Sequence, residues 1–159
     1  MMKKLSVSAP GKLLIAGEYA VLEGSKALVA AVNRRVIIRC ASNAAGHPED
    51  PMQAAPGTPM PEIARVFELE GEALPALDVD NSALYRRGRK LGLGSSAAQA
   101  VAAAGFLFAK RGAPLEAAQL FKLAHAAHQR VAPRGSGVDV LASAHGGLLL
   151  ADPSRLHEP

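Results

Sequence analysis

The segment Lys90-Leu91-Gly92-Leu93-Gly94-Ser95-Ser96-Ala97-Ala98 sets glycines directly ahead of an alanine-rich run. Glycine lets an anion reach the backbone without Cβ interference, and a helix starting at the alanines would aim its unpaired N–H groups and positive dipole end at that anion. Ser95 and Ser96 add hydroxyls that can donate to phosphate oxygens or ligate Mg²⁺, while Arg89 and Lys90 bring cations to the mouth. The plainer alternative is a capped helix packed closely through small side chains, and on this segment alone the two readings stand level. Two rival phosphate motifs fit less well. No G-x-x-x-x-G-K-[ST] occurs in the chain. Gly92-x-Gly94-x-x-Ala97 satisfies a loose dinucleotide fingerprint but lacks the acidic strand end expected about 20 residues on.

Two more segments carry candidate chemistry. In Ala9-Pro10-Gly11-Lys12 a lysine follows a rigid turn at the head of an apolar strand, so its charge has a fixed position. Lys12 can neutralise a transferring phosphoryl group, and Glu18-Tyr19 just beyond can contact a polyhydroxylated substrate. A solvated lysine and a turn glutamate are the commoner fate of such residues in isolation. In Gly135-Ser136-Gly137-Val138-Asp139 the aspartate lies between two valines in the first turn of a short helix, which predicts partial burial and a partner. Lys12 is the partner expected, the pair orienting a substrate hydroxyl while Asp139 takes its proton or positions it. Capping its own helix is the plainer role for Asp139. His125 and His128 stand three apart on a helix with no third ligand in view, and read as ordinary helix residues.

The elements that must hold these residues follow from patterning. Leu5–Ala9 and Leu13–Ala16 read as short strands interrupted by Pro10-Gly11, and Ala27–Cys40 reads as β-rich with a break at Arg34-Arg35. Residues 41–61 are turn-forming throughout and read as a mobile connection, while Val66–Glu70 and Leu77–Val79 alternate apolar and acidic residues like edge strands. Ser96–Arg111 is predicted as a largely buried central helix, with Ser96 and Gln99 forming a capping box and Lys110-Arg111-Gly112 a cationic stop. Pro114 opens a second helix to about Val131, Val138–His145 is a third closed by Gly146-Gly147, and Leu148-Leu149-Leu150 is a terminal strand.

Composition bounds the partners. The chain has 159 residues, 49% hydrophobic and 20% charged, which describes a globular chain of about one domain. Six aromatic side chains, none of them Trp, argue against a stacking platform for single-stranded nucleic acid. A net charge of +4 without a basic arm suits a small anion better than a nucleic acid. The lone Cys40 excludes an intrachain disulfide and points to a reducing cytoplasm. No signal-peptide core forms before Pro10, and the longest apolar stretch, Ala97–Ala109, is too short to span a bilayer.

Together the three segments resemble the GHMP kinase family of small-molecule kinases, in the family's own order: A-P-G-K-x-x-x-x-G-E, then G-L-G-S-S-A-A, then G-S-G-x-D, across Val7 to Leu150. The resemblance implies an α+β fold of the ribosomal S5 domain 2 type, a mixed or antiparallel sheet covered by helices, with residues 1–159 forming the N-terminal ATP-binding domain. It implies ATP and Mg²⁺ as cofactors, with Lys90, Gly92, Leu93, Gly94, Ser95, Ser96 and Ala97 holding the nucleotide and Ser96 near the metal. Lys12 and Asp139 would flank the acceptor oxygen, and Glu18, Tyr19, Ser136 and Gly137 would contact the phosphorylated small-molecule substrate. Gly17-Glu18-Tyr19, Arg89-Lys90 and Gly135-Ser136-Gly137 look more like the phosphomevalonate kinase branch, which serves isoprenoid precursor synthesis, than the mevalonate kinase branch. The mevalonate branch, or a non-catalytic nucleotide-binding fragment, is the alternative.

Two departures from the family pattern carry expectations. The stretch His125–Pro133 contains no acid where mevalonate kinases place a glutamate metal ligand, so Mg²⁺ would rest on Ser96, the phosphates and water. Family members also continue into a C-terminal half with a third glycine-rich motif. Without it, the isolated chain is expected to turn over weakly or not at all, and to self-associate through uncovered apolar surface.

Overall fold

The computed structural model describes residues 5–41 and 59–156. Its sheet is built on two long antiparallel strands, β1 (Ser6–Ala16) and β2 (Ala27–Cys40). Pro10-Gly11 bends β1 without ending it. The register jumps there, from Pro10 opposite Arg35 to Gly11 opposite Val32, so the disturbances expected at Pro10-Gly11 and at Arg34-Arg35 are two sides of one bulge. The single strand replaces the two short strands that the sequence suggests.

Helix α1 (Pro61–Leu69) overturns the edge strand expected at Val66–Glu70. Ile63, Val66 and Phe67 repeat at helical rather than alternating spacing and all three are buried, which decides the matter. Strand β3 (Leu77–Asp80) forms as expected and pairs with the C-terminal end of β2. A hairpin of β4 (Tyr85–Arg86) and β5 (Arg89–Lys90) then turns through Arg87-Gly88, with both turn residues at positive φ. The turn-forming stretch 42–58 lies outside the described residues.

Helix α2 (Ser95–Lys110) is the centre of the molecule. Its alanines let neighbours come close: a Cβ on Gly105 would stand 2.9 Å from Val7 Cγ1 of β1. Helix α3 (Ala117–Val131) begins three residues later than Pro114, leaving Leu115 outside it and exposed. Helix α4 (Val138–His145) and strand β6 (Leu148–Ala151) follow as expected, β6 pairing with the N-terminal end of β2. The helices pack on one face of the wholly antiparallel sheet, burying Phe67, Phe106, Ile38 and Leu107, each of which contributes about 1.5–3 kcal/mol by its burial. On the other face Leu13 and Leu148 both lie opposite Ala30 and are exposed, as are Ile15 and Leu150. Among the described residues no helix is long and apolar enough to cross a membrane.

Candidate functional site

The bulge in β1 brings the three chemically interesting segments together. Lys12 N donates to Leu93 O at 2.8 Å, which docks the glycine-rich loop on the strand. Only glycine fits beside it: a Cβ on Gly11 would lie 2.6 Å from that same carbonyl oxygen and 2.8 Å from Leu84 Cδ2. From the other side, the buried hydroxyl of Ser143 in α4 donates to Pro10 O at 2.7 Å. One short backbone stretch therefore holds both the loop ahead of α2 and the body of α4.

The result is an open cleft of about 210 Å³. Lys12, Lys90, Gly92, Leu93, Gly94, Ser95, Ser96 and Asp139 line it, together with Leu84. The stem of Lys12 lies across Gly94, where a Cβ would meet Lys12 Cγ at 2.9 Å. Lys90 is carried to the rim by the exposed end of the hairpin, with Leu91 N bonded to Leu84 O at 3.0 Å.

Helix α2 opens without the expected capping box. Gly94, in the left-handed region at φ 72°, is the N-cap, and no side chain accepts from the first turn. Ala98 N closes the first helical bond, to Gly94 O at 3.0 Å, so the amides ahead of it are those a helix leaves without an acceptor. Gln99 is instead fully buried, accepting from Met60 N at 2.8 Å and donating to Ser95 Oγ at 3.5 Å, and so joins the start of α1 to α2.

Asp139 and Lys12 share the cleft, but among the described residues no ion pair joins them. The Asp139 side chain, about one quarter exposed at 25%, uses Oδ1 to accept from Val140 N at 2.9 Å, and its Oδ2 faces His128 Nε2 at 3.8 Å. His128, not Lys12, is thus the partner that its partial burial demanded. Behind it lies Glu62, whose Oε1 stands 3.2 Å from His128 Nδ1. The Glu62 carboxylate raises the His128 pKa above its ordinary value against the opposing effect of burial, with Asp139 adding a smaller attraction. Burial likewise pushes the Tyr85 hydroxyl up, with Ser95 opposing.

Other candidates sit around this centre. Ala97 is buried in the first turn of α2. Ser136 is half-buried and Gly137 is buried under the His125 ring; Glu18 and Tyr19 lie in the exposed turn after β1, and none of these four lines the cleft. Sequence reasoning passed over Glu62 and read His128 as an ordinary helix residue. The available signals were an acid beside the apolar positions of α1 and a histidine on the Ala124–Ala127 stripe of α3, both places where an unpaired polar group is costly. Among the described residues no group of three or more His, Cys, Asp or Glu is placed to hold a metal.

Residues 68–147 match the family described as the GHMP kinases N terminal domain. The phosphomevalonate kinase of Streptomyces sp. (strain CL190) is 32% identical over 175 residues, covering 87% of this chain and 47% of that protein. The mevalonate kinase of Aeropyrum pernix is 34% identical over 164 residues, covering 94% of this chain and 51% of that protein. The chain thus spans about half the length of these curated relatives. Among solved structures, Streptococcus pneumoniae phosphomevalonate kinase in complex with phosphomevalonate and AMPPNP superposes with a TM-score of 0.68 at 25% identity, covering 88% of this chain and 47% of that one.

Proposed function

The chain belongs to the GHMP kinase family, and on that footing we propose that it holds the phosphates of Mg-ATP on the Gly92–Ala97 loop and serves in-line transfer of the γ-phosphoryl to the 5-phosphate of phosphomevalonate. The observation that carries this reading is the convergence of Lys12, the glycine-rich loop and Asp139, from three distant segments, on one cleft. The cleft is smaller than the roughly 300–1,000 Å³ of sites that enclose a whole ligand, and its polar lining suits phosphates more than a nucleoside.

The residues present fit a bound nucleotide. Uncapped amides and the positive end of α2 face the space where phosphate oxygens would lie, Ser95 and Ser96 offer hydroxyls, and Lys12 and Lys90 offset the charge. Mg²⁺, held by Ser96 and phosphate oxygens, would neutralise charge that develops between the β- and γ-phosphates. In the transfer, an acceptor phosphate oxygen bonds to the γ-phosphorus as the bond to the bridging oxygen breaks, releasing ADP and a diphosphate product. Lys12 stabilises the charge shared by donor and acceptor, and Asp139 orients the acceptor.

Lys90 at the rim supports an acceptor that already carries phosphate. The likeness to a mevalonate kinase keeps a second acceptor, mevalonate, in view; its hydroxyl would need Asp139 to take a proton. Titration calorimetry of the chain with Mg-ATP tests the nucleotide site. Lys12→Ala and Ser96→Ala should each weaken binding about tenfold, the equivalent of one lost charge-assisted contact. If neither does, the site is wrong. Coupled ADP release with phosphomevalonate should exceed that with mevalonate, and the reverse order would reassign the acceptor.

A further inference from the structure

Glu62 and His128 are buried, ionisable and absent from the phosphoryl-transfer assignment above, yet they connect to its cleft through Asp139. The two side chains are 3% and 8% exposed. The imidazole stands between two carboxylates, Glu62 on the core side, 3.2 Å from Nδ1, and Asp139 on the cleft side, 3.8 Å from Nε2. Glu62 comes from α1, His128 from α3 and Asp139 from α4, so the arrangement ties three helices in a line that ends at the candidate site.

Little else competes for the imidazole. Helix α2, packed against α3, carries no titratable side chain before Lys110. On α3 itself, His125 is stacked on Phe121 at a centroid distance of 5.0 Å and packed against Gly137, while Lys122 and Arg130 are exposed. On α1, Arg65 pairs with Glu68 at the surface, and on α4 His145 is exposed. The charges that face His128 are therefore Glu62 and Asp139. Glu62 Oε2 and His128 Nδ1 both lack a geometrically well-formed hydrogen bond, so the 3.2 Å approach of Glu62 Oε1 to Nδ1 is a close ion-pair contact in the core, and removing either partner would leave the other buried polar group alone.

We propose that Glu62 and His128 are positioning residues that act through Asp139: the imidazole, backed by Glu62, stands beside Oδ2 while the Val140 amide holds Oδ1, and the cleft is thereby set for an acceptor oxygen that already carries charge. With Oδ1 accepting from the Val140 amide and Oδ2 standing 3.8 Å from His128 Nε2, Asp139 is set to orient an acceptor. A phosphate monoester needs only orientation, because its oxygens are ionised near neutral pH, whereas an alcohol needs a base. The inference rests on the phosphoryl-transfer reading and extends it to acceptor class.

The test is the titration of His128 in the whole chain by NMR, with unfolding midpoints measured alongside. The His128 midpoint should fall by about half a pH unit or more in Asp139→Asn, a cleft-side change that leaves the core intact, and again in Glu62→Gln. An unchanged midpoint in folded Asp139→Asn overturns the proposal. His128→Gln should lower kcat with phosphomevalonate about tenfold at unchanged KM for Mg-ATP, while a variant that merely loosened the fold would lower its unfolding midpoint and impair both. Loss of ADP release in equal proportion with phosphomevalonate and mevalonate overturns the assignment of acceptor class. A midpoint that moves in both variants, in a chain that neither binds Mg-ATP nor releases ADP with either acceptor, supports the Glu62–His128–Asp139 coupling and removes the phosphoryl-transfer reading instead.

Discussion

The entrances to α2 and α4 are built alike. Each follows a glycine in the left-handed region, Gly94 at φ 72° and Gly137 at φ 77°, and neither is capped by a side chain. Their surroundings differ. Beside Gly94 lies the flexible stem of Lys12 and an open cleft, whereas a Cβ on Gly137 would fall 2.4 Å from Cε1 and 2.7 Å from Nδ1 of the buried His125 ring. At α2 the missing side chain leaves amides open to a cleft; at α4 it admits a part of the protein itself. A glycine ahead of a helix therefore signals close approach, and only the packing says what approaches.

Substitutions at the two entrances should separate these roles. The largest effect belongs to Gly137→Ala, in which left-handed strain adds to a clash with a ring that has nowhere to go; urea unfolding should register a loss of about 3–5 kcal/mol. If it costs no more than the equivalent change at Gly94, the contrast fails. Ser143→Ala, which removes the donor to the buried Pro10 carbonyl, should cost about 2 kcal/mol and weaken Mg-ATP binding in parallel, since α4 and the loop share that anchor. Gly94→Ala should cost only about 1 kcal/mol in stability, because the Lys12 stem can swing aside, while the displaced ammonium weakens Mg-ATP binding more than the stability loss alone explains.

The smallest effect is on pH dependence. A histidine whose folded pKa is raised stabilises the protein fully below its unfolded value of about 6.5, and that contribution disappears as pH climbs through the folded value. The unfolding temperature should decline from about pH 6.5 upward for this reason, and His128→Asn should flatten that part of the profile. A wild-type curve no steeper than that of the variant would detach His128 from Glu62.

Much of this architecture can be read from residue order, and the parts that cannot share a cause. The glycine-rich loop, α2, α4 and β6 announce themselves because their signals are local: a glycine, then an apolar run, then a basic, glycine or proline stop. Helix α1 is obscured because Val66-Phe67-Glu68-Leu69-Glu70 mimics strand alternation when Ile63 is left out of the window. The capping box is lost because Gln99, nominally a partner for Ser96, is drawn into the core by a contact with Met60, far away in the sequence. Asp139 illustrates the same limit. Its flanking valines correctly imply a buried side and a partner, but whether Lys12 or His128 supplies that partner depends on how α3 packs against α4, which no short window contains.

The tether between Ser143 and Pro10 joins residues 133 positions apart. Closing a loop of that length is entropically unfavourable, and contacts of such long range form late when a chain folds. The strand's bent segment cannot grip both the glycine-rich loop and α4 until nearly all the intervening chain is synthesised and packed. On the proposed reading, affinity for nucleotide should consequently emerge only once residues 10–143 have packed together, which makes ligand capture a gauge of that packing.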